Sequence, residues 1–161
     1  MAELIVALDV ATAAEAEAVV DRLGDAAGFY KIGLELFSAD GPAAVRAIAA
    51  RRKRVFLDLK LHDIPRTVAR AVERIAALGA DLVTIHASGG RAMVRAAAEA
   101  ARAAPAAPRI VAVTALTSLD RNDLADLGIG RPVGEQVAAM GRLAVGEGAD
   151  GIVCSPREVA A

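Results

Sequence analysis

The sequence predicts an α/β protein on a parallel sheet, with six βα units that fit part of a (β/α)8 barrel. Three observations carry this. Strand-like apolar runs recur about every 25 to 28 residues, with one step of about 40 before the last. Ala-rich stretches with helical periodicity fill the gaps, and that alternation implies right-handed βαβ crossovers. Polar residues (Asp9, Lys31, Asp58, Lys60, His86, Thr117) stand at the ends of several runs, where a barrel with its site at the C-terminal face would need them.

The first strand is expected at residues 4–8. Thr12 then reads as a helix N-cap with Glu15 three residues on, a capping box opening a helix over 12–23. A second strand at 29–33 leads to a helix over 42–52 that starts on Pro42, a residue suited to a first helical turn. The third strand, 54–60, precedes a helix at 66–78, and the fourth, 82–86, precedes one at 91–103. A fifth strand at 109–116 runs into a polar loop, 118–131, with a short helical turn near 122–127; a helix at 133–147 and a sixth strand at 151–154 follow. Two helix-to-strand joints share one pattern, Leu78-Gly79-Ala80-Asp81 and Glu147-Gly148-Ala149-Asp150, each with a glycine where a helix stops.

Six such units suit either an open doubly wound sheet or part of an eight-unit barrel. A dinucleotide-binding open sheet should carry GxGxxG after its first strand, and Asp9 follows instead. The expectation is therefore one partial TIM-barrel domain over residues 1–161, holding strands one to six and lacking the last two βα units of a barrel of ~250 residues.

Composition narrows the function. Hydrophobic residues make up 55% and aromatics 2%, so the core must be Val, Ile, Leu and Ala. The formal net charge of −1 offers no global field for nucleic acid or an acidic membrane. No apolar run reaches the ~18 residues of a membrane span, and no signal-like segment opens the chain. Cys154 is the single cysteine, which excludes an intrachain disulfide and a CxxC motif; it reads as a small buried hydrophobe. These features predict a soluble, cytoplasmic protein.

The chemistry concentrates in Asp58-Leu59-Lys60-Leu61-His62-Asp63-Ile64-Pro65. The apolar lead-in, Val55-Phe56-Leu57, reads as a strand buried on both faces. Alternation along a strand puts Asp58 and Lys60 on one face. Two charges there are costly to desolvate unless they pair or act. A structural ion pair is the plain alternative. The third charge, Asp63, in the loop before Pro65, tilts the reading toward catalysis.

Together with Ala7-Leu8-Asp9 and Tyr30-Lys31-Ile32-Gly33, this segment resembles orotidine 5′-phosphate decarboxylase, and Thr114-Ala115-Leu116-Thr117-Ser118 and residues 148–156 extend the likeness along the chain. The resemblance implies a (β/α)8 barrel acting as a homodimer without metal or organic cofactor. It implies conversion of orotidine 5′-monophosphate, a small nucleotide, to uridine 5′-monophosphate and CO2, the last step of de novo UMP synthesis. Lys31, Asp58, Lys60 and Asp63 would form an alternating charge array, with Lys60 the proton donor and Asp58 beside the substrate carboxylate. Asp9 and Lys31 would hold ribose hydroxyls, and Thr117 would meet the pyrimidine. Asp63, Ile64 and Thr67 would complete the substrate site, Asp63 and Thr67 by reaching the partner's. The family's phosphate-gripping residues lie in its last two units, and none can be assigned here.

Plainer roles exist for several of these residues. Asp9 could be a loop residue leading to the Thr12 cap, Thr67 a helix-start residue, and Thr117 or Ser118 an N-cap. His62 reads as a spectator, and His86 as either a pocket-lining or a structural histidine. Two rival functions remain. One is the Mg²⁺-dependent pair 3-keto-L-gulonate 6-phosphate decarboxylase and hexulose phosphate synthase, which share DxKxxD but favour Glu at the place of Lys31. The other is a non-catalytic binding protein derived from a barrel.

Overall fold

A computed structural model describes residues 3–158. Its six strands, β1 (Val6–Ala7), β2 (Phe29–Ile32), β3 (Arg54–Leu61), β4 (Leu82–His86), β5 (Arg109–Val113) and β6 (Gly151–Val153), form one sheet in the order β1-β2-β3-β4-β5-β6. Every neighbouring pair is parallel. A doubly wound sheet reverses direction at a switch point. Here the order never reverses, so each unit steps the same way around, as in a barrel.

Among the described residues seven α-helices accompany the strands: α1 (Ala13–Leu23), α2 (Leu34–Asp40), α3 (Pro42–Ala50), α4 (Pro65–Ala76), α5 (Gly90–Ala103), α6 (Arg121–Asp126) and α7 (Val133–Gly146). Thr12 caps α1 as expected, its hydroxyl accepting from Glu15 N at 3.2 Å. The Glu15 carboxylate reaches back one residue further than a capping box requires, to Ala11 N at 3.0 Å. The sequence reading left α2 out. It has seven residues and one buried side chain, Leu36, too little to show a helical period. Gly41, at φ +54°, stops α2 and leads into α3, where Pro42 stands at the start.

Strand limits are shorter than the apolar runs at four places, among them β2, which stops at Ile32. Leu4 is exposed and unpaired to the sheet, so β1 proper is two residues, extended by Leu8 N donating to Lys31 O at 2.9 Å. β5 stops at Val113 and β6 at Val153. Cys154 is half-buried, because it lies just past the paired strand.

The core is aliphatic with two aromatics. Leu8, Phe29, Tyr30, Ile32, Leu57, Ile85 and Ile110 are fully buried on the strands. Helices close over them: α4 presents Val68, Val72, Ile75 and Ala76 at helical spacing, and α5 presents Met93, Val94 and a run of alanines. The repeated joints have a common bond. Asp81 accepts from Val55 N at 2.8 Å and Asp150 from Ile110 N at 2.7 Å, so each aspartate tethers the start of the preceding strand. Gly148 is required by its φ of +98°, which side chains rarely adopt; a Cβ there would also push aside the flexible Arg102 guanidinium, 2.9 Å away. No helix of the described residues is long and apolar enough to cross a membrane.

Candidate active site

The C-terminal ends of β1, β2 and β3 bring four charges into one line. Asp9 follows β1, Lys31 lies in β2 opposite Ala7, and Asp58 and Lys60 belong to β3. Lys31 Nζ is 3.3 Å from Asp9 Oδ1 and 3.8 Å from Asp58 Oδ2, and Lys60 Nζ is 2.9 Å from Asp58 Oδ2. The order is carboxylate, ammonium, carboxylate, ammonium. Asp58 keeps 13% of its side-chain exposure, Lys31 23% and Lys60 31%, whereas Asp9 at the rim keeps 69%. Gly33 allows this closeness: a Cβ there would meet Lys31 Nζ at 3.2 Å. The Lys-Ile-Gly pattern thus has a spatial reason.

Simple strand alternation does not account for the Asp58–Lys60 contact. The β3–β4 register runs Leu57 to Val83 and then Leu61 to Ile85, so the ladder is irregular between them. Lys60 has φ +52°, a conformation costing a bulky residue on the order of 1 kcal/mol or more. Its backbone N–H donates to Thr84 Oγ1 at 2.8 Å, and the Thr84 hydroxyl donates to Asp58 Oδ1 at 2.9 Å. Thr84 is wholly buried, and sequence reasoning did not single it out. A hydroxyl in the middle of an apolar strand, one strand over from the charges, was the available signal.

Asp63, Ile64 and Thr67 stand apart from this line. All three are exposed, on the loop after β3 and the first turn of α4, and the one side-chain hydrogen bond of Asp63 is to the adjacent Ile64 N at 2.6 Å. Thr117 and Ser118 are exposed in the turn after β5. Neither caps α6. That role belongs to Asp120, which accepts from Asn122 N and Asp123 N while Asp123 returns a bond to Asp120 N.

The two histidines meet, with ring centroids 5.2 Å apart and planes inclined by 34°. Both line a mostly apolar cavity of about 190 Å³ with Thr114, Leu116, Leu124 and Gln136, His62 from an exposed position. The His86 pKa is lowered, first by burial and then by His62 and Lys60, against a smaller opposing pull from Asp58. Its surroundings therefore favour the neutral imidazole over the charged form.

Chemically, an ammonium fixed at Lys60, flanked by Asp58 and backed by Lys31, can stabilise a developing anion and hand it a proton. Among the described residues no group of three or more His, Cys, Asp or Glu side chains is arranged to hold a metal ion. The gap between the Asp9 and Asp58 carboxylates holds the Lys31 ammonium.

A family profile described as Orotidine 5′-phosphate decarboxylase / HUMPS family matches residues 2–161. Orotidine 5′-phosphate decarboxylase of Moorella thermoacetica is 53% identical over 99% of this chain and 66% of its own length. That of Paramagnetospirillum magneticum is 50% identical over 97% of this chain and 68% of its own. The chain thus spans about two thirds of the length of the curated relatives it matches. Among solved structures, orotidine 5′-phosphate decarboxylase from Lactobacillus acidophilus superposes with TM-score 0.92 at 37% identity, over 98% of this chain and 73% of that one. An uncharacterized conserved protein from Geobacillus kaustophilus superposes with TM-score 0.93 at 46% identity, over 97% and 75% respectively.

Proposed function

The chain belongs to the Orotidine 5′-phosphate decarboxylase / HUMPS family, and we propose that its protein decarboxylates orotidine 5′-monophosphate to uridine 5′-monophosphate and CO2. The observation that carries the reading is the Lys60 ammonium, 2.9 Å from Asp58 with Lys31 on the other side. The substrate carboxylate would lie against Asp58, where like charges repel. As the carbon–carbon bond breaks, its electron pair stays on the pyrimidine carbon and CO2 departs neutral. Lys60 stabilises that pair, then protonates it and regains its proton from solvent. Relief of repulsion removes a ground-state cost, and the ammonium lowers the barrier itself.

The same reading makes the protein a cytoplasmic homodimer that needs no cofactor. Asp9 and Lys31 take ribose hydroxyls and Thr117 the pyrimidine. The exposure of Asp63 and Thr67, away from the charge line of their own chain, supports service at a partner's site, with Ile64 beside them on the substrate. Against the Mg²⁺-dependent branch stands Lys31, whose ammonium a divalent cation would have to displace.

Incubation with orotidine 5′-monophosphate, following the loss of substrate absorbance with and without EDTA, tests this. Turnover should survive chelation. Loss with EDTA and recovery on Mg²⁺ would favour the metal-dependent rival. Binding of uridine 5′-monophosphate without any turnover would favour a non-catalytic role.

A further inference from the structure

The irregularity in β3 leaves three residues, Asp58, Leu59 and Lys60, opposite the single β4 residue Thr84. A strand cannot make that excursion and keep its carbonyl ladder, so the amide of Lys60 needs another acceptor. Thr84 Oγ1, on a side chain with 0% exposure, supplies it at 2.8 Å. A hydroxyl carries one proton. Because the Lys60 N–H can only donate, the Thr84 proton is free to go to the other neighbour, and Asp58 Oδ1 lies 2.9 Å away. Both carboxylate oxygens of Asp58 are then engaged, Oδ1 by Thr84 and Oδ2 by Lys60 and Lys31.

We propose that Thr84 is a positioning residue for the reaction, joining the Lys60 backbone to the Asp58 carboxylate through one buried hydroxyl. The terminal torsion of an aspartate is broad, and nothing in its own rotamer fixes the plane of the carboxylate. Thr84, β-branched and stiff about χ1, holds that plane and the positive-φ turn at Lys60 together. The ammonium and the carboxylate therefore present one fixed geometry to the reacting carbon. The proposal rests on the decarboxylase reading for its kinetic consequence, although the hydrogen-bond linkage itself does not.

Thr84→Val keeps the shape and removes the hydroxyl; Thr84→Ser keeps the hydroxyl. In the complete protein Thr84→Val should lower kcat about 10- to 100-fold, as expected for losing a hydrogen bond to a charged group. Affinity for uridine 5′-monophosphate should stay within about threefold, since that ligand lacks the carboxylate facing Asp58. Thr84→Ser should stay within a few-fold of wild type in kcat. Amide exchange at Lys60 should quicken in Thr84→Val and not in Thr84→Ser. Wild-type kcat in Thr84→Val, or an equal loss in Thr84→Ser, would overturn the proposal. Should Thr84→Val fail to fold, Thr84→Cys, with its weak thiol donor and acceptor, carries the same comparison. An inactive wild-type protein would refute the decarboxylase reading instead. Lys60 exchange would still judge Thr84: quickening in Thr84→Val supports the linkage, and unchanged exchange overturns it.

Discussion

Asp58→Asn removes the central negative charge of the array while keeping its shape, and the structure sets the size of the effect. At an effective dielectric constant of about 20, the Lys60 contact at 2.9 Å carries about 6 kcal/mol of gross attraction and the Lys31 contact at 3.8 Å about 4 kcal/mol. Desolvation of the three groups takes back most of this. Removing one partner of a fully buried pair costs about 3–5 kcal/mol, because the other charge is left unpaired. Lys60 and Lys31 retain 31% and 23% exposure and can recover some water, which brings the expected loss to about 2–3 kcal/mol. For a chain of this size that is a fall in Tm of about 5–10 °C. The assay is thermal unfolding of wild type, Asp58→Asn, Lys60→Met and the double variant, with the coupling read from the cycle. A coupling of about 1 kcal/mol or more is expected. An Asp58→Asn variant as stable as wild type, or more stable, would refute the reasoning: the array would then be mutually strained.

Two further outcomes are expected. Mixing inactive Lys60→Ala and Asp63→Ala protomers should restore activity, because one hybrid site of the heterodimer then carries neither change; no recovery despite proven subunit exchange would return Asp63 to its own subunit's site. The lowered pKa of His86 means the folded protein binds fewer protons there than the unfolded chain below about pH 6.5. Stability should thus be level above that pH and fall as pH drops from about 6.5 toward the folded pKa, and His86→Gln should lessen the fall. Denaturant unfolding between pH 8 and 5 measures it, and an unchanged slope in His86→Gln would contradict the assignment.

The alternation of apolar runs and Ala-rich helices made the six βα units legible, because the runs at β2, β4 and β5 are largely buried and the longer helices show their period. The absence of a glycine-rich turn after β1 pointed to the barrel order that the parallel, unreversed sheet then displays. Lys31, Asp58 and Lys60 were legible as members of one charge array, but its fourth member was expected to be Asp63, whereas Asp9 completes the line within this chain and Asp63 stands apart. Four things were not legible. α2 is too short to show periodicity, and Asp120 was hidden among the polar residues of its loop. Thr84 reads locally as one more strand residue, since threonine suits strands. Its partners lie on β3, 24 and 26 residues away, and only the sheet register brings them together. The positive φ of Lys60 was equally invisible, because it follows from the β3 irregularity and not from the lysine itself.

The account turns on one side chain, Lys60. In single-turnover decarboxylation of orotidine 5′-monophosphate, Lys60→Ala should lower the rate by at least about 10³-fold, since both charge stabilisation and proton delivery are lost. Affinity for uridine 5′-monophosphate should change by no more than about tenfold, because the interaction removed belongs to the transition state. Turnover near the wild-type rate in a folded Lys60→Ala protein would contradict the account.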